Sequence, residues 1–123
     1  MKGTKLHEMT VAQLVNRFAE IGVAQYDALL GGAVGEFNQL YRQMDGIDKE
    51  LRVRGEKARL ALLPLYEHPN IQVRLQAASF TLGIAPAAAR KVIEAISKSE
   101  WYPQAGDAGM RLWSLDEGIF KPD

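Results

Sequence analysis

The sequence predicts an all-α protein, and three observations lead to this fold class. Apolar residues recur at spacings of three, four and seven over long stretches, which is the period of a helix face. No segment alternates apolar and polar residues with the period of two that a half-buried strand requires. Glycines and prolines lie between the apolar stretches, where they end one helix or begin the next. We expect five to six helices in a single domain of residues 1–123.

The first helix is predicted to begin after Thr10 and to end at Gly31 and Gly32. Thr10 and Gln13 have the spacing of a capping box, in which each side chain accepts a hydrogen bond from the other residue's backbone amide. The apolar residues that follow form one stripe of a helix. Glycine takes the left-handed conformation that closes a helix without steric penalty, so the glycine pair predicts the end.

Two further helices are predicted in the middle of the chain. One runs over residues 34–54 and ends at Gly55, with its apolar residues again at helical spacing. The next is a short helix over residues 56–66, with Pro64 inside its last turn.

The last three helices are marked by their first residues and by glycines. Asn70 follows a proline and is placed to cap a helix that Gly83 ends. Pro86 is well suited to the first helical position of the next. Pro103 is predicted to start the final helix, which ends at Gly118.

Two helix pairs in the second half of the sequence repeat with an offset of 30 positions. Two helices in about 30 residues are typical of a helical solenoid, in which each pair buries its face on its neighbour. The predicted divisions are an N-terminal helix pair (1–55), a first repeat (56–84), a degenerate second repeat (85–118) and a tail (119–123). The matched residues are Ala58 with Ala88, Leu62 with Val92, Leu63 with Ile93, Leu75 with Ala105, Ala78 with Ala108, Phe80 with Met110, and Leu82 with Leu112.

The first repeat resembles a HEAT repeat in its prolines, its turn and its small residues. These are Pro64, Pro69-Asn70, Val73-Arg74, Ala77-Ala78 and Leu82. In the second repeat, Pro103-Gln104 replaces the Val-Arg pair. The resemblance implies a short right-handed α-α superhelix of the HEAT or armadillo type, in which alanines let adjacent helices approach closely.

The chain as a whole resembles a small bacterial family described as domain of unknown function 2019. That resemblance implies a compact α-α superhelix and no particular activity. The stretches that carry it are Phe37-Asn38, Glu50-Leu51-Arg52-Val53-Arg54-Gly55, Val73-Arg74-Leu75-Gln76-Ala77-Ala78, Gln104-Ala105-Gly106-Asp107-Ala108-Gly109-Met110 and Leu112-Trp113-Ser114-Leu115-Asp116-Glu117-Gly118.

Composition excludes several classes of protein. The chain has no cysteine, which excludes a disulfide scaffold, a thiolate zinc site and a cysteine nucleophile. Its 15 Lys and Arg residues balance 15 Asp and Glu residues, so it is not a strongly basic nucleic-acid binder. No apolar stretch is long enough to cross a bilayer, and no apolar segment follows the basic N-terminus as in a signal peptide. We therefore expect a cytoplasmic protein without membrane contact.

No residue pattern predicts catalysis, a metal or a cofactor. The sequence has no Ser–His–acid order, no phosphate-binding loop and no pair of histidines one helical turn apart. His7-Glu8 and Glu67-His68 are neighbours in sequence, and adjacent residues point to different sides of a helix. Asp45, Asp48 and Glu50 are interpreted as members of ion pairs on a solvated helix face, with Arg42, Lys49 and Arg52 within reach. The sequence therefore favours a protein that is not an enzyme.

Two groups of residues are candidates for contact with a partner. Residues 49–59 contain five cations and two acids, a pattern that either binds phosphates or complements the C-terminal dipole of a helix, and the second reading is favoured. Arg74 is interpreted as a packing and ion-pair residue between repeats. Trp101 and Trp113 are either contact residues or, as we favour, packing residues, with Trp113 covered by Ile119 and Phe120.

The leading functional hypothesis is a non-enzymatic module that binds another protein through a short helical-repeat stack. Weak nucleic-acid binding through residues 49–59 is the alternative. A homodimer formed through the stripe of the second helix and an enzyme with an unrecognised carboxylate site are further hypotheses. The candidate contact residues are Arg52, Arg54, Arg59, Arg74 and Trp113.

Overall fold

A computed structural model describes residues 5–123 and contains six α-helices and two short 3-10 helices, with no strand in this range. The all-α prediction is confirmed. The chain divides into two compact units, the first ending at Leu62 and the second beginning at Leu63. The α-helices are α1 (Val11–Leu30), α2 (Val34–Arg54), α3 (Glu56–Leu60), α4 (Ile71–Phe80), α5 (Pro86–Ser97) and α6 (Gln104–Asp116), and the 3-10 helices are Leu6–Glu8 and Leu63–Glu67.

The predicted capping box begins α1. The Thr10 amide donates to Oε1 of Gln13 at 2.8 Å, and the Gln13 amide donates to Oγ1 of Thr10 at 3.1 Å. Each side chain thereby satisfies an amide that has no partner within the helix. The start of α1 is thus fixed by two residues that the sequence identifies directly.

The turn after α1 is closed by Gly32 rather than by both glycines. Gly32 has a φ of 70°, whereas Gly31 remains right-handed with a φ of −88°. The Ala33 amide donates to the Ala28 carbonyl at 2.9 Å, and the Gly32 amide donates to the Leu29 carbonyl at 3.3 Å. This pair of bonds is the Schellman arrangement, which satisfies carbonyls at the end of a helix.

The core of the first unit lies between α1 and α2. Apolar residues at helical spacing on each helix are almost completely buried, while the opposite faces are exposed. The 3-10 helix at Leu6–Glu8 packs on α2, where Nη2 of Arg54 donates to the Leu6 carbonyl at 3.1 Å. The buried apolar residues are Leu14, Phe18, Ile21, Ala28, Met44, Ile47, Leu51, Ala58 and Leu62.

The prediction of one continuous helix over residues 56–66 is wrong for the second half of that segment. α3 ends at Leu60, and a separate 3-10 helix begins at Leu63. Pro64 explains the break, because proline has no amide hydrogen and its ring clashes with the carbonyl four residues earlier. The division between the two units falls at this break, inside the segment 56–84 that the sequence predicts to be the first repeat.

Helix α4 is the most enclosed element of the second unit, and seven of its ten residues are buried. The Asn70 cap is confirmed, since its Oδ1 accepts hydrogen bonds from the amides of Gln72 at 2.9 Å and Val73 at 3.2 Å. Ala77 and Ala78 have no exposed surface. α4 packs against the second 3-10 helix, α5 and α6, so the core of this unit is arranged around it.

The ends of α5 and α6 lie close to their predicted positions. Pro86 occupies the first turn of α5, and α6 begins at Gln104, one residue after the predicted Pro103. Nε2 of Gln104 donates to Oε1 of the buried Gln72 at 2.9 Å, which joins α6 to α4. α6 closes at Gly118, with a φ of 72°, where the Ile119 amide donates to the Ser114 carbonyl at 2.9 Å.

Replacing Gly32 with Ala is expected to lower the free energy of unfolding by about 1 kcal/mol, because an alanine side chain is strained at positive φ. Gly31→Ala is the matched control. A methyl group there would lie 3.6 Å from the Asp27 carbonyl oxygen, an ordinary contact, and the backbone is right-handed. Urea denaturation of both variants measures the difference. Equal stabilities would show that Gly32 does not set the end of α1.

Candidate interaction surface

Helix α6 carries apolar residues on two opposite faces. One face, which includes Ala105 and Ala108, is buried in the core of the second unit. On the other side, Gly106, Met110 and Trp113 follow one another at spacings of four and three and therefore form a second stripe. Met110 is 62% exposed and Trp113 is 52% exposed. The helix thus buries its small residues and presents its large ones to solvent.

The loop before α6 extends this second stripe by one turn. Tyr102 is 67% exposed, and a methyl group at Gly106 would lie 3.7 Å from Cδ1 of the Tyr102 ring. The neighbouring Trp101 is 55% exposed, and its carbonyl accepts the Ala105 amide at 2.8 Å, which ties the loop to the helix. We call Tyr102, Gly106, Met110 and Trp113 the α6 stripe.

The prediction that Trp101 and Trp113 are packing residues, with Trp113 covered by Ile119 and Phe120, is wrong. Ile119 is itself 65% exposed. The Arg111 guanidinium lies over the Phe120 ring, and the distance from Cζ of Arg111 to the ring centre is 5.0 Å. Arg111 and Trp113 point to nearly opposite sides of an α-helix, so the chain that follows Gly118 leaves the tryptophan uncovered.

The arginines of the basic segment are held by contacts within the first unit. Nε of Arg52 donates to Oδ2 of Asp48 at 2.7 Å, and Nε of Arg54 donates to Oε2 of Glu50 at 2.9 Å. Arg59 is only 7% exposed. Lys49 forms an ion pair with Asp45 at 2.9 Å. The structure therefore does not gather these side chains into one exposed basic patch.

Asp48 lies in the interior rather than on the solvated face that the sequence predicts. Only 3% of the residue is exposed, and its Oδ1 accepts no hydrogen bond. Burial raises the pKa of the Asp48 carboxyl, although the hydrogen bond from Arg52 and the charge of Arg59 act to lower it. The i,i+4 ion pair with Arg52 is as predicted, but burial of Leu51 and Ile47 on the same side of α2 takes Asp48 out of water.

Arg74 stabilises the turn that precedes its own helix. Its Nη1 donates to the carbonyl of His68 at 2.8 Å and to that of Pro69 at 3.1 Å. The sequence predicts packing and ion pairing between repeats, whereas these contacts are with backbone carbonyls of the preceding turn.

The apolar stripe of α2, which is one of the further hypotheses for a homodimer face, is used mainly within the first unit. Met44, Ile47 and Leu51 are buried, whereas Val34 and Tyr41, nearer the start of the helix, are exposed. The stripe therefore does not form one continuous exposed face.

Neither histidine takes part in a cluster that suggests chemistry. Nδ1 of His68 accepts the Asn70 amide at 3.0 Å, and His7 lies 3.8 Å from Glu8 at the surface. Over residues 5–123, no three His, Asp or Glu side chains are arranged to hold a metal ion. In the same range, no helix combines the length and apolar character needed to cross a membrane.

The sequence identifies Trp113 as a contact candidate but does not identify Met110. A signal for Met110 is present, because Tyr102, Gly106, Met110 and Trp113 have helical spacing. A second stripe, Ala105 with Ala108, Leu112 and Leu115, has the same period, and spacing alone does not show which stripe faces the core.

Comparison with known proteins gives two matches of different kinds. The model of a family described as "Domain of unknown function (DUF2019)" matches residues 12–116. The crystal structure of the protein RPA1889 from Rhodopseudomonas palustris CGA009 is similar to this chain, with a TM-score of 0.93 and 53% sequence identity. That similarity covers 98% of this chain and 100% of the other. No curated protein matches the sequence.

Replacing Asp48 with Asn is expected to change the pH dependence of stability. Because the pKa of Asp48 is raised in the fold, the folded protein favours the protonated carboxyl. The stability that this preference gives is complete below the ordinary pKa of 3.8, and it is lost as pH rises through the raised pKa. The free energy of unfolding of Asp48→Asn, relative to wild type, should therefore increase with pH across that interval. Urea denaturation at pH values on both sides of 3.8 tests this.

The control for this experiment is Asp45→Asn, which removes a more exposed carboxylate from the same helix. A difference between Asp48→Asn and wild type that is constant with pH would contradict the raised pKa.

Tryptophan fluorescence should report two solvated side chains. We expect red-shifted emission that acrylamide quenches readily in both single-tryptophan variants, Trp101→Phe and Trp113→Phe, because each residue is more than half exposed. Unfolded protein in urea gives the reference for full exposure. Blue-shifted emission that resists quenching in Trp101→Phe would mean that Trp113 is covered.

Proposed function

The chain belongs to the DUF2019 family, whose description names no activity, and from the structure we propose that it is a non-enzymatic module that binds another protein. The α6 stripe is the observation that supports this function. Single exposed apolar residues are normal on a protein surface, whereas a contiguous set is typical of a binding site. Tyrosine, tryptophan and methionine are also enriched at protein interfaces, where the aromatic residues supply much of the binding energy.

The partner that fits this surface is an apolar helix lying along α6. Tyr102 and Trp113 stand about three turns apart on the stripe, with Gly106 and Gly109 between them. A methyl group built at Gly109 would meet no atom within 4 Å, so the helix surface there is open. A partner backbone can approach closely at Gly109 while its side chains contact the aromatic rings on either side.

We further propose that residues 56–84 are built like a HEAT repeat and that residues 85–118 are a degenerate copy of it. The features that support this are the Asn70 cap, the hydrogen bonds of Arg74 to the preceding turn, and the buried Ala77 and Ala78. HEAT-like helices work mainly through their exposed surfaces, which accords with binding through α6.

Binding through α6 has stronger support than nucleic-acid binding through residues 49–59. The contacts of Arg52 and Arg54 with carboxylates of α2 compete with any contact to phosphate. The burial of Arg59 removes a third cation from the surface. Phosphate binding gains its affinity from cations that displace counterions, and most of these side chains are engaged within the protein.

Photo-crosslinking in the cells that produce the protein tests the proposal. With p-benzoylphenylalanine in place of Trp113, we expect one dominant adduct with another protein. Combining this with Met110→Asp should abolish the adduct, since a charge in the middle of an apolar interface is costly to desolvate. Mass spectrometry of the adduct identifies the partner and the contacting peptide.

The matched control carries the same photoreactive residue at Val53, an 83% exposed apolar position in the first unit. Adducts of the same pattern from positions 53 and 113 would mean non-specific capture and would contradict the proposal. An adduct of twice the mass of the chain would show that α6 binds a second copy instead of another protein.

A further inference from the structure

The first unit contains a groove that none of the functions above uses. Its volume is about 570 Å³, and it lies between α1, α2 and the 3-10 helix at Leu6–Glu8. Ile21 and Ile47, which are 2% and 1% exposed, form its base, and Leu6 and Met9 contribute further apolar surface. Cδ1 of Leu6 approaches α2 at Gly46, where a side-chain methyl group would lie 3.5 Å away, so the 3-10 helix bounds one side of the groove.

The edge of the same groove is polar and positively charged. Arg17 of α1 and Arg42 and Gln43 of α2 line it, and all three residues are exposed. Nη2 of Arg17 donates to Oε1 of Gln43 at 3.4 Å, which brings the polar side chains of the two helices together. Arg17 also forms an exposed ion pair with Glu20 at 3.5 Å, whereas Arg42 forms no ion pair within residues 5–123.

We propose that this groove binds a small amphipathic anion, a carboxylate attached to an apolar chain. The apolar chain lies against Leu6 and Met9, above the base formed by Ile21 and Ile47, and the carboxylate lies at the edge between Arg17 and Arg42. A volume of about 570 Å³ is within the range of small-molecule sites, which combine mostly apolar walls with a few polar groups that fix orientation.

The two guanidinium groups determine the charge of the ligand. Arginine presents donors in a planar fork that matches the two oxygens of a carboxylate, and it carries its charge at every physiological pH. Because Arg17 and Arg42 come from different helices, one anion accepts hydrogen bonds from both and lessens their mutual repulsion. A neutral molecule of the same shape gains only the apolar contact, and a cation is repelled.

Methyl NMR of the intact protein with decanoate as the probe tests the proposal. Saturable shifts are expected for the δ1 methyls of Ile21 and Ile47 and for the ε methyl of Met9. The methyls of Ile71 and Ile93, buried in the second unit, serve as internal controls and should not move. Shifts confined to the second unit, or no saturable shift, would overturn the proposal.

Two comparisons test the role of charge. Decan-1-ol, with the same chain and no charge, should bind about tenfold more weakly than decanoate. Arg42→Gln should weaken decanoate binding by about threefold to tenfold. Lys91→Gln removes one exposed cation from α5 and should leave the affinity unchanged. Equal affinities for decanoate and decan-1-ol, or equal effects of the two substitutions, would show an apolar groove without anion recognition.

Discussion

The second unit depends on the turn at residues 67–70, because α4 is too enclosed to leave its first turn to water. A buried helix end must have its amides and the adjacent carbonyls bonded within the protein. Oδ1 of Asn70 accepts hydrogen bonds from two amides of α4, and Nδ1 of His68 accepts one from the Asn70 amide. Nη1 of Arg74 donates to two carbonyls of the turn. These hydrogen bonds fix the position at which α4 begins. Helices α5 and α6 pack on α4.

The position of α4 explains why α6 has two apolar faces. Close packing of α6 in the second unit uses alanines and the buried Gln104, which bonds to Gln72 of α4. Small residues allow helices to approach closely but contribute little apolar area. The large side chains of α6, Met110 and Trp113, lie on the other side and are not needed for this packing. Their exposed position is the observation on which the proposed contact surface rests.

The sequence predicts helix ends far better than it predicts burial in this protein. Thr10, Asn70 and Gly118 act through their own backbone neighbours, so a short stretch of sequence contains all the information. Burial is a property of the whole fold. The sequence around Asp48 shows a charged residue with Arg52 one turn away, and only the packing of α2 places it in the interior. In α6 two stripes share one period, and the core selects the one with smaller residues. The break at Pro64 was open to prediction, since proline disfavours a continuing helix.

The glycines of α6 also affect how the protein opens. Each glycine in a helix interior weakens it by about 1 kcal/mol relative to alanine, and α6 contains Gly106 and Gly109 within one turn. We therefore expect the amides of this turn to exchange with solvent more readily than they would with alanines in place of the glycines. Under the proposed function, a partner lying along this turn would bind the closed helix and hold it closed. Local stability and occupancy of the surface would then be thermodynamically linked, and slower amide exchange in α6 should accompany binding.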